Sequence, residues 1–126
     1  MSNEFRSEQL ASALEAQDVA AVAFALRNHM VAVPLLPSDG SPQVRVFRRG
    51  EADSYMLLLF SSLDSYRLML PEEVDLVVAA YDRESLRDFL AQNIGVLESV
   101  WFDVAGPHAM QAVPQDVLDA LELTAE

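Results

Sequence analysis

The spacing of apolar positions changes along the chain, and each change predicts a new secondary-structure element. Apolar residues recur every three or four positions in five segments, which predicts helices at 7–16, at 18–29, at 63–70, after Asp82 and from Pro114 onward. Six short runs are continuously apolar or alternate, which predicts strands at 30–36, 43–49, 55–60, 74–81, 96–104 and 108–113.

The predicted order of elements is α-α-β-β-β-α-β-α-β-β-α, so hairpins are mixed with helical crossovers. This order indicates an α+β fold, with a mixed sheet of about five or six strands packed with helices. A chain of 126 residues suits one layered domain over 1–126, with its core at about 8–122.

The apolar pattern also predicts how deeply individual strands are buried. The runs 55–60 and 74–81 are apolar almost throughout, which is typical of strands buried on both faces. Pro34 cannot donate a ladder hydrogen bond, so it places the strand 30–36 at a sheet edge or ends it. Segment 43–49 alternates, which predicts that Val44 and Val46 face one side of the sheet, and that Arg45, Phe47 and Arg49 face the other.

Several residues have the chemistry of helix caps. Asp18 and Asp82 precede helical segments, where a carboxylate accepts hydrogen bonds from free backbone N–H groups. Ser61 and Asp64 have the spacing of a capping box before the helix 63–70. Pro114 suits a first helical turn, where its missing N–H costs nothing.

Charge narrows the partners that the chain could bind. It has 8 basic and 20 acidic residues, a net charge of −12, so phosphate backbones and anionic membrane surfaces are repelled. The N-terminal residues 1–10 contain no apolar core of signal-peptide length, and no apolar run is long enough to span a bilayer, which predicts a soluble cytoplasmic protein. Without cysteine, and with two histidines far apart, the sequence predicts no metal site and no cofactor.

Four short motifs resemble the N-terminal domain of SseB-like (enhanced serine sensitivity) proteins, a family common in bacteria. They are a Val-x-Val-Pro strand at 31–34, Phe-Ser-Ser at 60–62, Asp-x-x-Gly-Pro at 103–107 and Val-Pro at 113–114. The resemblance covers about 8–122. It implies a cytoplasmic domain without assigned catalytic residues, and the serine in the family's name identifies no serine site.

Arg45, Arg48 and Arg49 form a local basic cluster in an acidic chain. The guanidinium group matches carboxylate or phosphate, so the cluster is a candidate contact for a partner, or else a solvated strand that pairs with the acidic surface. Trp101 is a second candidate. Alternation places it opposite Val100, Phe102 and Val104, on a face that is either an interface or covered by the C-terminal helix.

His108 follows Gly-Pro and is the candidate for acid–base chemistry. Asp103 or Asp116 could orient its imidazole and raise its pKa, whereas the alternative is an ordinary polar residue at a hairpin tip. Spacing reveals no nucleophile beside it.

We therefore expect a non-enzymatic adaptor domain that contacts a protein partner through the arginine cluster and Trp101, and that is able to form a homodimer. One alternative is an enzyme or small-ligand binder that uses His108 with Asp103. Another is an immunity-like or chaperone-like protein whose acidic surface masks a basic partner.

Overall fold

The computed structural model describes residues 7–36, 43–48, 54–73 and 76–122. The elements follow the predicted order. The helices are α1 (Glu8–Glu15), α2 (Val19–Asn28), α3 (Leu63–Met69), α4 (Arg83–Asn93) and α5 (Pro114–Glu122). The strands are β1 (Val31–Leu35), β2 (Phe47–Arg48), β3 (Tyr55–Leu59), β4 (Val77–Tyr81), β5 (Leu97–Phe102) and β6 (Met110–Ala112). Over the described ranges, no helix has the length and apolar character needed to cross a membrane.

The described strands form two sheets. Four strands make a mixed sheet in the order β2-β3-β5-β6, in which β3 and β5 are parallel. The other sheet is an antiparallel pair of β1 and β4. Ala32 and Phe60 exchange backbone hydrogen bonds of 2.9 and 3.0 Å that connect the two sheets. The α+β class is confirmed, but these strands are divided between two sheets where the sequence predicts one.

Pro34 explains why β1 does not continue the larger sheet. The peptide groups of Ala32 point toward β3, and alternation directs those of Pro34 to the same side. The carbonyl of Pro34 accepts a hydrogen bond of 2.8 Å from the Arg45 N–H, but its ring nitrogen has no hydrogen to donate. Among the described residues, β1 is paired on this side only by the isolated bridges Ala32–Phe60 and Leu35–Val44.

The two faces of the four-stranded sheet are covered unequally. One face packs against α1, α2, α4 and α5, and its buried strand residues include Leu57, Leu59, Val100 and Phe102. The opposite face packs against α3, through Leu58, Phe60, Leu63 and Tyr66. Of the described helices, four cover one face and one covers the other, so part of the second face stays open.

Burial agrees with the prediction for β3 and corrects it for β4. Leu57, Leu58 and Leu59 are buried, as expected for a central strand. In β4, Val77 and Ala80 are exposed, and the strand pairs with β1 and with no other described strand. A short apolar run has the same pattern in a central strand and in an uncharged edge strand, so the sequence could not separate them.

The helix caps are as predicted at two positions and different at a third. Asp18 accepts from the N–H of Ala21, and Asp82 from that of Ser85. Helix α3 is capped by Ser62, which accepts from the Ser65 N–H at 3.1 Å. The predicted cap at Ser61 was wrong by one residue, because the Ser61 hydroxyl is bonded to Asp103.

Two arginines stabilise the C-terminal end of α5. Arg27 donates to the carbonyl of Ala120 at 3.2 Å, and Arg83 donates to that of Leu121 at 2.6 Å. These carbonyls lie in the last turn, where they have no partner within the helix and attract positive charge. Arg27, the basic residue in the last turn of α2, therefore stabilises the C-terminal end of α5.

The cap at Asp82 predicts a pH dependence of stability. Hydrogen bonds from the backbone N–H and side chain of Ser85 lower the pKa of Asp82 below its ordinary 3.8. The stabilisation by the carboxylate is therefore complete above pH 3.8 and is lost as the pH falls through the lower folded-state pKa. We expect the melting temperature of Asp82→Asn to fall less steeply than that of the wild type on acidification. Parallel profiles by circular dichroism would contradict this assignment.

Candidate docking groove on the open face of the sheet

The open part of the second sheet face forms a groove of about 430 Å³. Its walls come from β2, β3, β5, the end of α3 and the turn after β5. It is lined by Phe47, Arg48, Met56, Leu58, Met69, Trp101, Val104 and Ala105. The lining is apolar except for one arginine, the composition of a surface that receives apolar side chains beside one anionic group.

Trp101 lies near the C-terminal end of β5, on the groove side. It is aligned with Leu58 on one neighbouring strand and with Gln111 on the other. Its flanking residues Val100 and Phe102 point into the core on the opposite face, as alternation predicts. Trp101 stays half-buried, since Met69 borders the groove whereas α5 packs on the Phe102 side. Of the two alternatives for Trp101, cover by the C-terminal helix is therefore not provided by the described residues of α5.

Val104 departs from the predicted alternation. It was expected on the side of Val100 and Phe102, but it packs with Trp101. The cause is Asp103, whose φ of 48° lies in the left-handed region and turns the chain at the end of β5. The turn therefore adds an apolar wall to the groove beside Trp101.

Arg48 is the charged group at the groove. It ends β2 and is exposed. In the described part of the chain, no hydrogen bond or ion pair joins its guanidinium to another residue. Arg49 lies outside the described residues.

Arg45 is engaged within the chain. Its Nη2 lies 3.0 Å from Oε1 of Glu73, and its Nη1 lies 3.1 Å from the hydroxyl of Tyr66. Its guanidinium also lies 5.0 Å from the centre of the Phe47 ring, in cation–π geometry. The hydrogen bond to Glu73 raises the pKa of Arg45, with burial opposing it.

Tyr66 joins this ion pair to the core. The residue is fully buried, and its ring centre lies 5.0 Å from that of Phe60. Burial raises the pKa of the Tyr66 hydroxyl, while the charge of Arg45 opposes the shift. Through these contacts α3 is held against β2 and β3, and Phe47 is held at the floor of the groove.

Asp103 is buried and satisfied by Ser61. One carboxylate oxygen accepts from the Ser61 backbone N–H at 2.8 Å, and the other accepts from its hydroxyl at 2.7 Å. The Asp103 carbonyl accepts from the N–H of Gly106, which closes the turn. Both oxygens are therefore used to fasten the end of β3 to the end of β5.

His108 lies on the surface, away from any such network. Its carbonyl accepts from the side chain of Gln17 at 3.3 Å. No described residue forms a hydrogen bond or ion pair with its imidazole, so the alternative in which Asp103 or Asp116 orients His108 has no such contact among these residues. Throughout the described ranges, no three acidic or histidine side chains are grouped so as to hold a metal ion.

Searches against family models, curated proteins and solved structures find no match for this chain. The geometry of the groove therefore carries the functional argument.

Sequence reasoning identified Arg48 and Trp101 as separate candidates, and the structure places them in one groove. Sequence reasoning did not identify Met69, Phe47 or Glu73 as residues of this site. Met69 and Phe47 are apolar residues within a helix and a strand, as ordinary core residues are. Glu73 belongs to an acidic cluster of Glu72, Glu73 and Asp75, which is typical of a solvated face. The alternation of segment 43–49 was the available signal for Phe47, since it placed this ring on the side opposite the valines.

Proposed function

We propose that the protein is a non-enzymatic protein-interaction domain whose open groove binds an apolar segment of a partner protein with an adjacent carboxylate. The observation that carries this proposal is that Arg48 and the half-buried Trp101 line the same groove. Tryptophan and arginine dominate the energetics of many protein interfaces, particularly around an apolar pocket.

The groove favours apolar anchor side chains. Trp101 is surrounded by Met56, Leu58 and Val104. When a partner covers this surface, each Å² of apolar area removed from water stabilises the complex by about 25 cal/mol. A partner side chain that fills the groove also meets a floor already held by the Arg45–Glu73 ion pair. Little ordering of the groove is then required on binding, which favours affinity.

The charge at the groove, which comes from Arg48, favours a single carboxylate close to the anchors. A net charge of −12 repels an extensively acidic partner. A single carboxylate beside the apolar anchors would instead meet the guanidinium of Arg48. Because this arginine is exposed, its contribution is expected in specificity more than in affinity.

We also propose that the chain is an SseB-like N-terminal domain. Three of the motifs behind this resemblance are linked by hydrogen bonds through the Phe-Ser-Ser motif. Ala32 of the Val-x-Val-Pro strand bridges Phe60, and the Ser61 that follows bonds Asp103 of the Asp-x-x-Gly-Pro turn. Such contacts support a structural role for the motifs.

A random-peptide display library selected on the immobilised protein tests the groove. We expect enriched peptides to combine aromatic or aliphatic residues with a neighbouring Asp or Glu. Trp101 is the only tryptophan in the chain, so its emission should shift to the blue when a selected peptide covers it. Trp101→Ala should weaken binding about tenfold or more, measured by titration calorimetry.

Charge reversal at Arg48 supplies the specificity test. Arg48→Glu should weaken the binding of acidic peptides roughly fivefold. In a selection on this variant, the residue beside the apolar anchors should change from acidic to basic. Arg87→Glu is the matched control, because Arg87 is a partly exposed arginine on α4, on the helix-covered side of the sheet. Failure to enrich any peptide, or equal binding by all three variants and the wild type, would refute the groove as the binding site.

A further inference from the structure

The outer edge of β4 is a second surface, separate from the groove. The strand reads Val-Val-Ala-Ala-Tyr, with no charge and no proline. Natural edge strands usually carry lysine, proline or a bulge that prevents pairing with another strand. Of the described strands, β4 pairs with β1 alone. The sequence features that normally block edge pairing are therefore missing from this strand.

The direction of each peptide group on β4 follows from β1. Ala32 directs its N–H and C=O toward Phe60, so its neighbours Val31 and Val33 direct theirs toward β4. Their partners are Tyr81 and Ala79, which consequently face β1. The intervening residues, at 78 and 80, direct their N–H and C=O groups away from β1, to the outer edge.

This arrangement is self-complementary about Ala79. If a two-fold axis passes beside Ala79, Val78 of one copy lies opposite Ala80 of the other. By symmetry, Ala80 of the first copy then lies opposite Val78 of the second. Each pair exchanges two backbone hydrogen bonds, as in an antiparallel ladder. Ala79 lies opposite its own copy at a close, non-hydrogen-bonded position, which a methyl side chain fits.

The charge distribution also favours a second copy at this edge. Two chains of net charge −12 repel each other over most of their surface, yet β4 has no charged side chain. The next carboxylate after the strand is that of Asp82, which caps α4. The Asp82 residues of the two copies would lie at opposite ends of the paired strands. Pairing of residues 77–81 with the same residues of a second copy therefore places no like charges opposite each other.

We propose that two copies of this chain associate through antiparallel pairing of β4 with β4, which joins the two β1–β4 sheets into one four-stranded sheet. The interface is isologous, with each copy contributing the same residues. The association is independent of the groove, which lies on the β2-β3-β5 face.

Ala80→Pro tests the proposal with little effect on the monomer. Proline removes the outward N–H of residue 80, while the ladder to β1 uses the groups of residues 77, 79 and 81. We expect sedimentation velocity to show a concentration-dependent dimer for the wild type. The dissociation constant should rise about tenfold or more for Ala80→Pro, because half of the inter-chain hydrogen bonds are lost.

Ala80→Lys is a second variant that keeps the backbone and adds a charge to the edge, and it should also abolish the dimer. Ala20→Lys, at an exposed alanine of α2, is the matched control and should leave the dimer unchanged. Circular dichroism verifies the fold of each variant, and amide exchange at residues 78 and 80 of the wild type should slow with concentration. A wild type that stays monomeric, or a dimer that persists in Ala80→Lys or is lost only in Arg48→Glu, would overturn the proposal.

Discussion

Asp103→Ala is expected to lower the free energy of unfolding by about 3 kcal/mol. The substitution removes both acceptors from Ser61 and leaves a buried N–H and hydroxyl without partners. It also places alanine at a φ of 48°, a conformation that aspartate tolerates better. For a chain of this length the melting temperature should fall by about 10 °C, measured by thermal circular dichroism.

Two further variants separate these causes. Asp103→Asn retains a side chain that suits positive φ and can still bond Ser61, so its loss should be smaller, about 1 kcal/mol. Asp64→Ala, at an exposed aspartate with only a surface ion pair to Arg67, should change stability by less than about 0.5 kcal/mol. If Asp103→Ala were as stable as Asp64→Ala, the Asp103–Ser61 connection would not hold the two strand ends together.

Tyr66→Ala is expected to cost about 4 kcal/mol of unfolding free energy. Tyr66 is a fully buried residue of α3, packs on Phe60 and accepts a hydrogen bond from Arg45 through its hydroxyl. Truncation leaves a cavity between α3 and the sheet, and it removes the contact that connects the Arg45–Glu73 pair to the core. Chemical denaturation by urea would measure the change.

Tyr66→Phe isolates the hydroxyl of this residue. The ring and its packing on Phe60 remain, so we expect a loss of about 1 kcal/mol. Arg45 keeps its ion pair with Glu73 in this variant, and the groove should still bind its selected peptides. A loss as large as that of Tyr66→Ala would mean that the hydroxyl, rather than the packing of the ring, dominates.

Both stability predictions concern residues that hold the walls of the groove in position without lining it. Asp103 turns the chain so that Val104 reaches the side of Trp101, and Tyr66 holds α3 where Met69 borders the same space. A variant that weakens either support should therefore reduce peptide binding even though the residue itself does not line the groove. Arg45 has the same indirect role through Phe47.

Ser61 and Arg45 show why residues close in sequence do not decide which contacts are made at these positions. Ser61 and Ser62 are adjacent, and either could cap α3 by sequence. The choice is decided by Asp103, 42 positions away, which occupies the hydroxyl and backbone N–H of Ser61. Likewise, Arg45 appears free in the sequence, but its partner Glu73 lies 28 positions along the chain.

The sequence by itself determined the order of helices and strands, the caps at Asp18 and Asp82, and the burial of β3. These depend on hydrophobic period and on hydrogen bonds within one helical turn, which are local properties. The tertiary structure alone decided that Arg48 and Trp101 share a groove, that Asp103 bonds Ser61, and that β4 is an edge. Each of these depends on which distant segments pack together, and neither residue spacing nor composition specifies that choice.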